Sequence, residues 1–164
     1  RSTRQVKALL PATDLSQAEV NVNALLTDSL RDAEIRRVVR KAEQALQKGN
    51  DMVIFTSRRL VTGKDAKSSL HIGQKISQGL IDIVQRIQTT PRYILAKGGI
   101  TASDIATRAL NLKRAMVLGQ ILPGVPVWRL GSESRFAGLP YIVFPGNVGD
   151  EQALVEIVKQ IRPR

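Results

Sequence analysis

Amphipathic stripes at helical spacing alternate along this chain with short runs that are apolar throughout, and that alternation limits the folds open to it. Ile35, Val38, Val39, Ala42 and Leu46 recur at intervals of three and four. They predict a helix over about 29–47 that ends before Gly49-Asn50. Ile76, Leu80, Ile83, Val84 and Ile87 mark another long helix, stopped ahead of Pro91. Ser2 and Gln5 stand at capping-box spacing before Val6, Leu9 and Leu10, so a short helix is expected at the very start. Ala102, Ile105, Ala106, Ala109 and Leu110 form a further stripe, and Leu154, Ile157, Val158 and Ile161 a last one. Between these lie strand-like runs at 52–56, 93–96, 115–118, 125–130 and 141–144, and an alternating stretch at 19–24. Strands without alternation are covered on both faces, so the pattern predicts an α/β fold. The expected form is a three-layer sandwich with a mixed, mostly parallel sheet flanked by helices. No repeat or linker divides the chain, and a single domain over 1–164 is expected.

A hydrophobic share of 43% and a charged share of 24% suit a packed core rather than a disordered chain. There is no cysteine, which removes disulfides, thiolate metal sites and a cysteine nucleophile, and the one histidine, His71, reads as structural. No apolar run reaches the roughly 18 to 20 residues that span a bilayer, and no signal segment opens the sequence, so a cytoplasmic location is expected. The chain opens on Arg1 rather than Met, which leads one to expect a segment of something longer. Twenty-five Lys and Arg against fourteen Asp and Glu give a net charge of +11. That surplus raises nucleic acid as a partner. Yet Asp32, Glu34 and Glu43 are mixed among the basic residues of 31–48, and the few aromatic residues form no stacking cluster. An anionic small molecule or an acidic partner domain suits a dispersed surplus equally well. A self-associating, inert chain is a further possibility, open to light scattering.

In sheets of this class ligands bind beyond the carboxyl ends of strands. Three such junctions stand out. Thr56-Ser57-Arg58-Arg59 offers hydroxyls and two guanidinium groups as an anion contact, with a solvated turn as the plain alternative. Lys97-Gly98-Gly99-Ile100-Thr101 lies between a strand and a helix, and its glycines allow close backbone approach. Thr101 and Asp104 have the spacing of a cap and its partner, and Lys97 adds charge to a helix start that favours anions. Pro145-Gly146-Asn147-Val148-Gly149-Asp150 repeats the theme, with Asp150 placed to cap the last helix. Neither loop has the spacing of a P-loop or of a dinucleotide fingerprint. Gln120 and Trp128, in the 119–128 stretch, supply an amide and an apolar wall, though Trp128 reads first as core. No catalytic residue and no metal ligand set can be named from these residues.

Residues 97–104, 119–131 with Gln-Ile-Leu-Pro-Gly-Val-Pro-Val-Trp, and 139–150 with Leu-Pro-Tyr-Ile-Val-Phe-Pro-Gly-Asn-Val-Gly-Asp resemble the four-carbon acid sugar kinase family. The likeness is to that family's C-terminal nucleotide-binding domain. It implies a two-domain enzyme that uses ATP with Mg²⁺ to phosphorylate threonate, erythronate or 3-oxo-tetronate. A separate N-terminal domain, absent here, would bind the sugar acid. Carried onto this sequence, Gly98, Gly99, Ile100 and Thr101 would hold ATP phosphates, and Gly146, Asn147 and Gly149 would line the nucleotide site. Ser2 would be the last remnant of the family's Ser-Gly-Ser-type loop. Binding of ATP or ADP without turnover, and a homo-oligomer, are the matching expectations; a non-catalytic basic module for nucleic acid or an acidic protein is the rival.

Overall fold

The computed structural model describes residues 2–57 and 62–162. In chain order the elements are α1 (Ser2–Ala12), β1 (Ser16–Val20), α2 (Val22–Leu26), α3 (Asp28–Gln47), β2 (Met52–Thr56), α4 (Ala66–Arg86), β3 (Ile94–Lys97) and α5 (Gly99–Asp104). A π turn over Ile105–Ala109 continues α5, and β4 (Ala115–Leu122), β5 (Val125–Leu130), β6 (Pro140–Phe144) and α6 (Ala153–Ile161) complete the chain. The α/β class with mixed sheets flanked by helices is as expected. The strands, however, lie in two sheets, β1-β2 and β3-β6-β5-β4. The described residues gather into two compact units: one runs to Leu15 and adds Arg92–Thr107 and everything from Asn111 onward, the other is Ser16–Pro91 with Arg108–Leu110.

In the Ser16–Pro91 unit, β1 and β2 pair in parallel with Ala18 opposite Ile54. Parallel partners need a crossover, and α2 and α3 supply it. The expected strand at 19–24 is instead the end of β1 followed by a helix, because Asn21 Oδ1 accepts the Ala24 amide at 3.1 Å and caps α2. Ile35, Val38 and Ala42 of α3 and Ile83 of α4 close over Ala18, Val20 and Leu25 to form the core. Helix α4 starts at Ala66, well before its apolar stripe, because Asp65 and Ser68 form a full capping box. The Glu43 carboxylate takes the amides of Gln88 and Thr89 just past the end of α4. Three basic residues of α3 face acids: Arg31 meets Asp82, Arg36 meets Asp32 and Arg37 meets Glu34.

In the other unit, β3 and β6 run parallel, with Lys97 opposite Phe144, while β5 is antiparallel to both β6 and β4. Tyr141, Ile142 and Phe144 of β6 are fully buried, as are Leu130 and Ile157. Helix α6 presents Leu154, Ile157 and Val158 inward, and α1 packs on it through Val6 and Leu9. Trp128 is half-buried and stacks on Tyr141, ring centroids 6.1 Å apart. It is therefore part of the sheet's packing without being enclosed in the core. Strand β4 is the sheet edge, and Met116, Val117 and Leu118 are 60%, 69% and 45% exposed. Its entry is fixed by Glu133, whose Oε1 accepts the amides of Lys113 at 2.9 Å and Arg114 at 2.7 Å.

Ile83 sits at 0% exposure in the core of its unit, so Ile83→Ala is expected to cost about 2–5 kcal/mol, read as a lower urea midpoint. Glu133 tests the other unit. Hydrogen bonds from its own backbone amide and from those of Lys113 and Arg114 hold its carboxyl below the ordinary 4.5. A depressed folded value gives stability that is fully present above the ordinary value and is lost as pH falls through the folded one. The thermal midpoint of Glu133→Gln should therefore lie below wild type at pH 7, and the gap should begin to narrow as the pH falls below about 4.5 and close only once it passes the lowered folded value.

Candidate nucleotide site

Parallel pairing makes β3 and β6 end on the same side of their sheet, each opening into one glycine loop. The Gly98 amide donates to Phe144 O at 2.8 Å, which joins the two loops at their first residues. Lys97 Nζ lies 4.7 Å from the centre of the Phe144 ring and donates to Gly146 O at 3.5 Å. A Cβ built on Gly146 would come within 4.0 Å of Gly98 Cα, so the loops face each other closely. The stretches 98–101 and 146–149, picked separately from the sequence, are thus neighbours.

Within the first loop, Gly98 has φ +103 and caps α5. That left-handed backbone requires glycine. Thr101 is consequently not the cap expected of it. It lies inside the first turn of α5, and no side chain caps that helix; the positive φ turns the chain sooner than a threonine cap would. Gly99 and Ile100 are exposed, Ile100 to 79%, and Thr101 is half-buried. Helix α5 is pinned from beneath by Tyr141, whose buried hydroxyl donates to Ala102 O at 2.6 Å. Burial pushes that hydroxyl's pKa well above its usual value, so it remains a donor at working pH.

Within the second loop, Gly146, Asn147 and Gly149 are all exposed, and Gly149 takes φ +76. A Cβ there would also fall 2.6 Å from that of Ala153. Asp150 does not cap α6 directly. Gln152 holds that position, and Asp150 Oδ1 accepts the Gln152 amide at 2.8 Å. Ser2 is exposed in the first turn of α1, and the residues of that helix that reach this loop are Arg4 and Gln5. Arg4 pairs with Glu151 at 3.3 Å. Gln5 does not close a capping box with Ser2. It is fully buried, and its Nε2 donates to Val148 O at 3.3 Å and Asp150 O at 2.8 Å. Sequence reasoning missed this role, although Gln5 stands four residues before Leu9, on the apolar stripe, where a polar residue signals a buried partner. Arg4, Gly149, Asp150 and Glu151 line an open cleft of about 470 Å³.

The remaining candidates fall elsewhere. Arg58 and Arg59 lie outside the described residues, and Ser57 Oγ is taken up by the Val22 amide at 3.0 Å. Gln120 Oε1 accepts the Gly124 amide at 3.0 Å within the β4-β5 turn. His71 is exposed on α4. Among the described residues no three histidines, aspartates or glutamates gather as metal ligands. No helix among them is long and apolar enough to cross a membrane.

Residues 1–154 match the family described as "nucleotide-binding C-terminal domain". A 3-oxo-isoapionate kinase from Paraburkholderia graminis is 28% identical over 131 residues, which are 72% of this chain and 28% of that protein. A crystal structure of a domain of unknown function from Bordetella bronchiseptica, a domain-swapped dimer with bound citrate, covers 99% of this chain and 38% of its own at 23% identity and a TM-score of 0.73. A Salmonella typhimurium crystal structure covers 98% of this chain and 38% of its own at 15% identity and a TM-score of 0.72. The chain thus spans about a third of the length of these relatives. The two solved structures share its fold. With the resemblance seen in the two glycine loops, the match over residues 1–154 makes this chain a member of the nucleotide-binding C-terminal domain family.

Proposed function

We propose that this chain is the ATP-binding domain of a carbohydrate kinase whose acceptor is a four-carbon sugar acid such as threonate, erythronate or 3-oxo-tetronate. The observation that carries the reading is the meeting of two glycine loops at the ends of parallel strands, joined by the bond from the Gly98 amide to Phe144 O. The glycines at 98, 99, 146 and 149 leave room for a polyphosphate to approach backbone on both sides, a shape that a single loop does not make. In this reading Gly98, Gly99 and Thr101 meet the phosphates, with Ser2 at the start of α1 beside them. Gly146, Asn147 and Gly149 form the facing wall, and the exposed Ile100 offers apolar surface to the nucleotide.

Phosphoryl transfer depends on positioning and on neutralising charge. The described residues offer no metal cage of their own, so Mg²⁺ belongs to the reading as part of the MgATP substrate. The sugar acid and the base that accepts its hydroxyl proton are assigned to an N-terminal domain of the same protein, in keeping with the share of its relatives that this chain spans. Binding without turnover is the matching expectation for the 164 residues on their own. A cytoplasmic setting fits an ATP-dependent activity.

Titration calorimetry with ADP and Mg²⁺ tests the reading: heat of binding is expected by millimolar nucleotide, and neither heat nor a thermal shift would overturn it. The first loop has its own test. Gly99 has room for a side chain, since a Cβ there meets nothing within 4 Å. Gly99→Val should therefore leave the thermal midpoint close to wild type while weakening ADP by about tenfold or more, through blocked phosphate approach. Equal affinity in the variant would reduce that loop to a turn.

A further inference from the structure

Gln5 is a fully buried amide inside the apolar face of α1, and its donors and acceptor are used unequally. Both amide hydrogens are committed, to Val148 O at 3.3 Å and Asp150 O at 2.8 Å. Its Oε1 is the one buried side-chain polar atom among the described residues left without a partner. Reversing the amide would turn that oxygen against two carbonyls, so the orientation is forced. An acceptor buried without a donor is costly, which marks this contact as more than packing.

The consequence lies on the far side of each peptide that Gln5 grips. A trans peptide is planar and its C=O and N–H point in opposite directions. Drawing Val148 O and Asp150 O inward therefore turns the amides of Gly149 and Glu151 outward. Among the described residues neither amide has a hydrogen-bond partner. Gly149 and Glu151 both line the open cleft, where Arg4 offsets the Glu151 charge at 3.3 Å. Gly149 supports the arrangement, because its φ of +76 admits the turn between the two gripped carbonyls.

Resting on the nucleotide reading above, we propose that Gln5 is a positioning residue for the nucleotide's phosphates. By holding two carbonyls inward it presents the amides of Gly149 and Glu151 to the cleft as a preorganised anion contact. It touches no ligand itself. Preorganisation of this kind matters because amides already aimed at a charge need not reorganise when it arrives.

The experiment combines a substitution with a measurement on the unaltered chain. Gln5→Met keeps the length and apolar stem but has no donor. ADP affinity of this variant, measured well below its thermal midpoint and with a wild-type circular dichroism spectrum, should fall by about tenfold or more. A lower midpoint with unchanged ADP affinity would show a purely structural residue and overturn the proposal. In the wild-type chain, ADP should shift the amide NMR signals of Gly149 and Glu151 among the most strongly perturbed. If ADP binds and both signals stay in place, the proposal fails even where the variant does not fold. If wild-type chain does not bind ADP at all, the nucleotide reading falls and this inference falls with it.

Discussion

The parallel pairing of β3 with β6 is the constraint on which the candidate site depends. Two strands far apart in sequence end side by side because Ile94 to Lys97 register with Tyr141 to Phe144. Had β6 run the other way, its glycine loop would open at the opposite end of the sheet and the two loops could not meet. The same strand carries the means of fixing what lies above it. Tyr141 bonds the backbone of α5, and Phe144 receives the Gly98 amide on its carbonyl and the Lys97 ammonium over its ring. Burial of Tyr141, Ile142 and Phe144 thus places the loops as well as stabilising the sheet.

Local patterns in the sequence identified most elements and missed what depends on distant partners. The strand at 52–56 and the one at 125–130 emerge with those bounds, since short apolar runs between turn residues leave few alternatives. Alternation at 19–24 misled, because Asn21 supplies a cap that breaks the period where the side chains still alternate. Thr101 misled in the same manner: cap spacing was present, but the positive φ of Gly98 started the helix earlier. Both glycine loops were legible as sharp strand-to-helix turns, which a glycine pair and a Pro-Gly-Asn run commonly mark. Their adjacency was not, as hydrogen bonds across some fifty residues leave no local trace. The division of strands between two sheets was hidden for that reason too.

Gln5 illustrates the limit from another side. By composition it is an ordinary polar residue near a helix start, and capping is the usual employment there. Only the fold shows that its position faces inward, onto a loop more than 140 residues away. In the nucleotide reading proposed above, the site's chemistry rests mainly on backbone amides held by buried contacts, with few charged side chains. Such a site leaves a faint sequence signature, made of glycines and an inward polar residue rather than of acids, bases or nucleophiles.

The bare edge of β4 gives the surplus positive charge a second meaning. Free strand edges invite other strands, and proteins commonly guard them with charged side chains. Between Ala115 and Leu122 this edge has no such residue, and three of its apolar side chains stand in water. The net charge of +11 on each copy works against such edge-to-edge approach. The excess of lysine and arginine that first suggests a nucleic-acid partner then acts as a colloidal guard, one whose reach shrinks as added salt shortens the range of the repulsion.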